Sequence, residues 1–312
     1  MKMKKLCVLA ALMTACLPAF ALTVPAELDG ARIEQNVEAV PTRAVSLSHF
    51  TTEMMLALDL GDHMAGTAFL EEPIYPNLKE RYEAVPVLAD QWPSAEVFFG
   101  AKPDFALGWA TAFTKKGVDG HLLQQRGVPF WVPESALSKD ATLDTLWGDF
   151  ETLGEIFGVQ DRAKAYVEGQ KAKLATVQEQ IGQKEPVKVF VYDSGSDEAF
   201  TVFEGFTTSL LKLVGAQNVM SGRGVDKTWG KCSWEEVIAA NPEVILVIGY
   251  SNSVRFKETD GATKIDFLKN FKPLANVDAV KNNRFVEVSL ADLCPGVRNV
   301  DALTRIATAL YE

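Results

Sequence analysis

The apolar and polar positions of this chain follow one pattern twice. Residues 94–107 and residues 233–246 each begin with Ser-x-Glu, continue with a short apolar helical stretch, and end with Pro-acid and an apolar run. Corresponding positions differ by 139 residues. An apolar run bounded by turn residues is typical of a buried strand. We therefore expect one structural unit to occur twice, giving two lobes with a cleft between them.

Around the repeat, short apolar strands alternate with helices. Strands are predicted at 43–48, 64–68, 85–88, 105–109 and 128–132, and again at 187–192, 244–248 and 285–288. A helix is predicted to begin at Thr51, which leaves Ser48 and His49 in the turn after the first strand. This alternation predicts an α/β fold in which two Rossmann-like lobes contain mainly parallel sheets.

One stretch between the two halves differs from the rest. Residues 159–183 contain no proline, and their apolar residues recur mostly three, four or seven positions apart, as on one helical face. About 25 residues at 1.5 Å each give a helix of roughly 37 Å. The predicted organisation is an N-terminal lobe at 22–157, one long connecting helix at 158–184 and a C-terminal lobe at 185–312.

The first residues indicate export. Lys2, Lys4 and Lys5 precede an apolar stretch that ends in a small-x-small cleavage pattern at 19–21. This predicts a signal peptide at 1–21, because the stretch is short for a membrane span of about 20 residues. The alternative is a lipoprotein-like box before Cys16, which would leave a lipid anchor on that cysteine.

The net charge of the chain excludes some classes of binding partner. The leader carries three lysines and no acid, so the remaining chain has 28 basic and 41 acidic residues and a net charge of −13. This excess of acid argues against binding to nucleic acid or to an anionic membrane surface.

In an oxidising compartment Cys232 and Cys294 could form a disulfide, and two free thiols are the alternative.

Metal ligation by side chains and resident cofactors are not expected. The only histidines are His49, His63 and His121, and they form no His-x-His pattern or His-rich loop. No nucleophile elbow, Walker loop, dinucleotide-binding glycine pattern or His-Glu-x-x-His helix is present. Ser194, between Asp193 and Gly195, has no histidine nearby in sequence to activate it. An enzyme is therefore a remote alternative.

Candidate ligand contacts follow the ends of the predicted strands, where ligands bind in parallel α/β sheets. Aromatic side chains in such turns suit stacking on a flat or catecholate-bearing ligand, although packing between loops would also explain them. The candidates are Ser48, His49, Phe69, Tyr75, Trp92 and Trp109 in the first half, and Tyr192, Phe200, Trp229, Tyr250, Asp292 and Arg298 in the second.

Two of these candidates have a specific polar role to consider. The Arg298 guanidinium could hold an anionic chelate at two points, or it could form a salt bridge with Asp301. His49 could ligate a metal that has open coordination sites, hydrogen-bond in the cleft, or cap the helix predicted at Thr51.

The order of these elements resembles a known group of proteins. The resemblance rests on Val45-Ser-Leu-Ser with Thr-Glu at 52–53, Tyr75-Pro76, the two repeated segments, Asp193-Ser-Gly, Thr228-Trp229 and the Pro-Gly-x-Arg-Asn at 295–299. In order and spacing these resemble the substrate-binding proteins of ABC importers for iron chelates, haem and vitamin B12, the class with a single long inter-lobe helix. The resemblance covers nearly all of the chain after the leader.

The resemblance implies a monomeric periplasmic protein that hands an unaltered ligand to an ABC permease in the inner membrane. An iron(III) chelate of the siderophore type is the expected ligand, and cobalamin or haem are the alternatives. In that family one glutamate on each lobe docks onto permease arginines, and here the matching residues are Glu96 and Glu235. Glutamates also occur at helix starts for purely local electrostatic reasons.

Overall fold

The computed structural model describes residues 21–225, 227–250 and 260–312. The predicted signal peptide and the lipoprotein-like box at Cys16 therefore lie outside the described residues, except for Ala21. Within the described ranges, no helix combines the length and apolar character needed to cross a membrane.

The first half of the chain forms a lobe around a five-stranded parallel sheet. Its elements are β1 (Leu22–Leu28), β2 (Ala31–Val37), β3 (Ala44–Ser46), α1 (His49–Ala57), β4 (Met64–Ala68), α2 (Lys79–Glu83), β5 (Val87–Ala89), α3 (Ala95–Gly100), β6 (Phe105–Leu107), α4 (Gly120–Gln125), β7 (Phe130–Trp131), α5 (Glu134–Leu137) and α6 (Leu143–Ile156). The strand order is β5-β4-β3-β6-β7.

A long helix, α7 (Gln160–Ile181), leads to the second half. The elements that follow are β8 (Val187–Tyr192), β9 (Ala199–Val202), α8 (Phe206–Lys212), β10 (Ala216–Asn218), β11 (Trp229–Cys232), α9 (Trp234–Ala240), β12 (Val244–Gly249), α10 (Gly261–Asn270), α11 (Asp278–Lys281), β13 (Phe285–Ser289), α12 (Leu290–Leu293) and α13 (Asn299–Tyr311). Their main sheet is parallel, in the order β10-β8-β12-β13.

The two sheets have the same topology over four strands. In the first sheet β4 lies on one side of β3, and β6 followed by β7 lies on the other side. In the second sheet β10 lies on one side of β8, and β12 followed by β13 lies on the other side. The repeated segments supply α3 with β6 and α9 with β12, as their common pattern predicts. The predicted α/β class with two lobes of mainly parallel strands is confirmed.

The connecting helix α7 has 22 residues and a length of about 33 Å. Ala163, Val167, Leu174 and Val177 on the predicted apolar face are buried. α7 packs closely on α6 at Gly154, where an added Cβ would lie 2.5 Å from the Ala163 Cβ. The first turns of α7 are therefore packed against the first lobe, and the helix also contacts α13 of the second half.

The hydrophobic core is continuous through both lobes. One cluster of buried side chains includes Leu107 from the first sheet, Val167 from α7 and Val189 with Ile248 from the second sheet. A smaller cluster fills the outer side of each lobe. Because the lobes share a core, large independent movements would expose apolar surface and are unfavourable.

Three local features differ from the sequence prediction. An antiparallel hairpin, β1 with β2, precedes the first sheet, and a second antiparallel pair, β9 with β11, extends from the second lobe. α1 begins at His49 rather than Thr51, because the Ser48 side chain caps the helix by accepting from the Thr51 N–H. His49 therefore lies in the first helical turn, and Ser48 is the cap.

Candidate functional site

The two lobes meet at the carboxyl ends of their parallel strands. A cavity of about 100 Å³ lies there, lined by His49, Phe50, Glu53, Glu71, Glu72 and Trp109 from the first lobe and Leu290, Ala291, Cys294, Pro295 and Gly296 from the second. A second cavity of about 300 Å³ is lined by Glu72, Pro73, Ile74 and Pro76 and by Gly249, Tyr250, Glu287, Val288, Ser289, Asp292 and Arg298. Glu72 lines both, so the two cavities adjoin each other between the lobes.

Arg298 joins the lobes through a buried ionic network. Its Nη2 lies 2.5 Å from Glu53 Oε1, its Nε lies 3.1 Å from Glu53 Oε2, and its Nη1 lies 3.4 Å from Glu72 Oε2. Arg298 is 7% exposed, and its guanidinium also donates to the Pro73 carbonyl. The salt bridge to Asp301, which the sequence left as an alternative, is not formed, because the guanidinium is held by carboxylates of the opposite lobe.

His49 supports the same network from α1. Its Nδ1 lies 3.1 Å from the Glu72 backbone N–H and accepts from it, so Nε2 carries the proton that faces Glu53 Oε1 at 2.9 Å. Burial alone would raise the pKa of Glu53, but hydrogen bonds from His49 and Arg298 lower it to about 2. Glu53 is thus a buried carboxylate held in its ionised form.

Two further contacts cross between the lobes. Glu72 Oε1 accepts the Leu290 N–H at 2.9 Å, so a carboxylate of the first lobe caps α12 of the second. The Tyr75 hydroxyl donates to Asp301 Oδ2 at 2.7 Å, and burial together with this bond raises the pKa of Tyr75 to about 12. Asp301 thus hydrogen-bonds with Tyr75, and Arg298 forms its salt bridge with Glu53 instead.

Three aromatic candidates of the first lobe pack against another aromatic ring. Trp109 packs on Phe50 with ring centroids 4.0 Å apart, and its Nε1 donates to Glu71 Oε2 at 3.4 Å. Phe69 and Trp92 are stacked at 4.2 Å, and Trp92 donates to the Leu47 carbonyl. Trp109 lines the inter-lobe cavity, whereas the Phe69 and Trp92 pair does not line either inter-lobe cavity.

The aromatic candidates of the second lobe are dispersed. Phe200 and Trp229 stack across the β9 and β11 pair with centroids 6.0 Å apart. The Tyr250 hydroxyl lies 2.5 Å from Asp193 Oδ1, and burial, with the nearby Asp193 charge, raises its pKa. Tyr192 is 3% exposed and packs in the outer core of its lobe, so the structure places it among core residues.

Ser48 and Asp292 have structural roles in this conformation. Ser48 is completely buried beneath the start of α1. Asp292 forms a reciprocal capping box with Ser289 and pairs with Arg305 at 2.7 Å, while also lining the larger inter-lobe cavity. Of the two, only Asp292 therefore borders space between the lobes.

The disulfide that the sequence left open is absent, and Cys232 and Cys294 are free thiols. Cys232 ends β11 and belongs to the outer core of the second lobe, whereas Cys294 lines the smaller inter-lobe cavity. Burial raises the pKa of Cys232 to about 12 and also raises the pKa of Cys294. Both groups are therefore uncharged thiols at neutral pH.

Sequence reasoning missed several residues that line the cavities. Phe50, Glu53, Glu71 and Glu72 were not among the ligand candidates, although Glu53 stands one helical turn after His49. The i, i+4 spacing of His49 and Glu53 on one helix was the available signal. Nothing in the sequence indicated that Glu72 would reach the other lobe. Over the described ranges, no group of three or more His, Cys, Asp or Glu side chains could hold a metal ion.

The two glutamates of the repeat occupy equivalent positions. Ser94 caps α3 and Ser233 caps α9, which places Glu96 and Glu235 in exposed first turns. Neither carboxylate forms an ion pair within the part of the chain that the structure describes. The adjacent Glu236, by contrast, folds back on Ser233 and lies 3.9 Å from Arg223.

The chain is similar in sequence and in structure to several known proteins. A crystal structure of a periplasmic binding protein from Veillonella parvula is 47% identical, covers 93% of this chain and 98% of its own, and has a TM-score of 0.89. An uncharacterized ABC transporter substrate-binding lipoprotein of Bacillus subtilis is 23% identical over 91% of this chain and 84% of its own length. A vitamin B12-binding protein of Yersinia pestis is 25% identical over 68% of this chain and 71% of its own length.

The fold is also that of more distant structures. An ABC-type Fe3+-hydroxamate transport system protein from Saccharomonospora viridis has a TM-score of 0.73 at 20% identity, covering 94% of this chain and all of that one. The family model described as periplasmic binding protein matches residues 45–289, which span both lobes and the connecting helix. The chain therefore belongs to the periplasmic binding protein family of ABC importers, as its sequence pattern predicts.

Proposed function

We propose that this chain captures an iron(III) chelate of the siderophore type between its lobes and delivers it unaltered to an ABC permease. The observation that carries the proposal is the pair of adjoining cavities lined by both lobes, with Trp109 and Phe50 in one wall. A ligand bound there contacts both lobes at once. A match to a ferric hydroxamate transport protein in fold supports this class of ligand.

The charge distribution favours a chelate without strong negative charge. Arg298 is already paired with Glu53 and Glu72, so a ligand anion would have to displace a carboxylate and leave it buried without a partner. Neutral ferric hydroxamates avoid this penalty, whereas anionic catecholates do not. Arg298 therefore stays paired with these carboxylates and does not anchor an anionic ligand.

The cavities also imply an opening step. The cavity lined by Trp109 and Phe50, about 100 Å³, is smaller than the usual ligand pocket of about 300–1,000 Å³, and the adjoining cavity of about 300 Å³ only reaches the lower limit of that range. A siderophore therefore enters only when the lobes separate or when the contacts of Arg298, Glu72 and Tyr75 rearrange. The shared core limits this separation to a small hinge movement.

Cobalamin is the second candidate, and haem is the third. Curated relatives from Yersinia are named vitamin B12-binding proteins, and Trp109 in the wall of the smaller cavity suits a corrin as well as a siderophore. Solved haem-binding neighbours from Roseiflexus and Vibrio cholerae share the fold. Tyr75 or His49 would be the axial ligands to consider for haem.

Ligand titration tests the proposal. Purified protein is titrated with a neutral ferric trihydroxamate, cyanocobalamin and haemin, and tryptophan fluorescence is followed. We expect saturable quenching by the hydroxamate, and chromatography should recover it chemically unchanged. Trp109→Phe should reduce both quenching and affinity, while Trp147→Phe, which alters a tryptophan outside the cavities, should keep the affinity. Turnover of the ligand, or no binding by any of the three, would contradict the proposal.

Delivery is tested separately from capture. Glu96→Ala combined with Glu235→Ala should abolish uptake of the bound chelate by the native host while its affinity in solution stays unchanged. The two carboxylates orient the protein on arginines of the permease rather than contact the ligand. Normal uptake in the double variant would refute this role. Glu80→Ala, on the exposed helix α2, provides the control.

A further inference from the structure

Residues 70–75 lie between β4 and α2 and have no regular secondary structure. Both neighbouring elements belong to the first lobe, but residues 70–75 contact the second lobe. Glu72 accepts the Leu290 N–H at 2.9 Å, and the Tyr75 hydroxyl donates to Asp301 at 2.7 Å. We call residues 70–75 the strap, because the first lobe holds both ends and these two side chains attach it to the second lobe.

The strap lies between the two inter-lobe cavities. Glu71 lines the smaller cavity, Pro73 lines the larger cavity, and Glu72 lines both. The smaller cavity, which contains Trp109, has a volume of only about 100 Å³. A siderophore that stacks on Trp109 must therefore extend past the strap into the neighbouring space.

Few apolar contacts hold the strap in place. Glu72 is its only buried residue, and Ile74 and Tyr75 are half-buried at the edge of the shared core. Its hydrogen bonds to the second lobe can be replaced by water when it detaches. Segments with few buried apolar contacts open at a lower free energy than the core does. Arg298 keeps its two bonds to Glu53 when Glu72 moves away, so the buried guanidinium stays paired.

Phe69 fixes the point at which the strap leaves the first lobe. Its φ of 61° lies in the left-handed region, which is strained for a bulky side chain and persists only where the surrounding structure imposes it. The buried ring stacks on Trp92 with centroids 4.2 Å apart, and Trp92 donates to the Leu47 carbonyl. Because the packing of the first lobe holds this conformation, Phe69 stays in place while the residues after it move.

We propose that the strap is a gate that pivots at Phe69. It closes the inter-lobe space while Glu72 and Tyr75 are bonded to the second lobe, and it admits the ligand when those bonds break. This inference rests on the proposed capture function and names the segment that moves. Because the two lobes share a core, movement of the strap alone costs less than separation of the lobes. Ligand on its way to Trp109 passes Glu72 while the gate is open.

Stopped-flow tryptophan fluorescence measures the entry of a neutral ferric trihydroxamate into the purified protein. When opening of a gate limits entry, the observed rate constant reaches a plateau as the ligand concentration rises. Tyr75→Phe removes the hydroxyl that bonds to Asp301 and should raise this plateau roughly tenfold, because a hydrogen bond to a carboxylate no longer has to break. Asp301→Ala should raise the plateau as well. Adding Tyr75→Phe to Asp301→Ala should raise it no further, because the same bond is already absent.

Tyr82→Phe is the matched control, since Tyr82 is a half-buried tyrosine of α2 that lines neither inter-lobe cavity. It should bind at the rate of the wild type. Equal rate constants for Tyr75→Phe and the wild type, or a linear rise without a plateau in both, would show that the strap is not a gate while capture stands. If the wild type does not bind the hydroxamate at equilibrium, the proposed capture of a siderophore fails too.

Discussion

At the scale of single residues, the site is dominated by charges that compensate one another across the cleft. Arg298 and Glu53 are separated by 245 residues in sequence and form a bidentate pair in the structure. A pair at that separation cannot be predicted from local pattern, because nothing near Arg298 in sequence indicates its partner. Asp301, the partner suggested by proximity, is taken by Tyr75.

Glu53→Gln tests the ionic network around Arg298, because it replaces one carboxylate oxygen of Glu53 with an amide nitrogen. The substitution keeps the size of the side chain but leaves the Arg298 charge without its principal partner. We expect the free energy of unfolding at pH 7 to fall by about 3 kcal/mol, the usual consequence of breaking a buried pair. Urea denaturation measures it, and Glu80→Gln on the surface of α2 should change stability little.

The same residue gives a pH dependence with a definite sign. The pKa of Glu53 is lowered in the folded protein from 4.5 to about 2, so its contribution to stability is complete above about pH 4.5. That contribution is lost as the pH falls towards 2. Wild-type protein should therefore lose more stability than Glu53→Gln between these values, and equal losses would contradict the assigned ionisation.

At the scale of elements, the sequence predicted what periodicity controls. Helix α7 was predicted at 159–183 and occupies Gln160–Ile181, because its apolar face repeats over many turns. The hairpin β1 with β2 was missed although each strand has seven residues, because Pro25 interrupts β1 and β2 is mostly polar. The pair β9 with β11 was missed because each of its strands has only four residues. The aromatic residues Phe200 and Trp229 lie on this second pair, so their placement could not be predicted either.

Gly154→Ala tests the contact between α6 and α7. The new methyl group would lie 2.5 Å from the Ala163 Cβ, which forces the two helices apart. We expect the free energy of unfolding to decrease by about 1–3 kcal/mol, as for overpacked cores. Gly148→Ala, on α6 with open space around it, should raise stability by up to about 1 kcal/mol through helix propensity. Thermal unfolding of both variants makes the comparison.

At the scale of the whole molecule, the lobes are held together by few polar contacts around a common core. Glu72 is central, since it pairs with Arg298 and caps α12 of the opposite lobe. The predicted duplication agrees with the strand order of both sheets, but the way the two copies join depends on side chains outside the repeat. The boundaries predicted at 157 and 184 remain predictions.

Glu72→Ala tests the hydrogen bond by which Glu72 of the first lobe accepts from the Leu290 N–H of the second lobe. The Leu290 amide would lose its carboxylate acceptor, and amides in a first helical turn have no partner within the helix. We expect hydrogen exchange at Leu290 to accelerate at least tenfold, which corresponds to the loss of about 1.5 kcal/mol from a charged hydrogen bond. Unchanged exchange would show that the cap does not hold the lobes; Glu83→Ala on α2 is the control.

The shared interior has a consequence for how this protein can be divided. One cluster of buried side chains runs from the first sheet through α7 into the second sheet. Cutting the chain on either side of α7 would therefore expose buried apolar side chains of both fragments to water. The two halves share one strand order, but we expect them to unfold as a single cooperative unit. Calorimetry should accordingly record one melting transition, and a gene fragment encoding either half should yield an aggregating product.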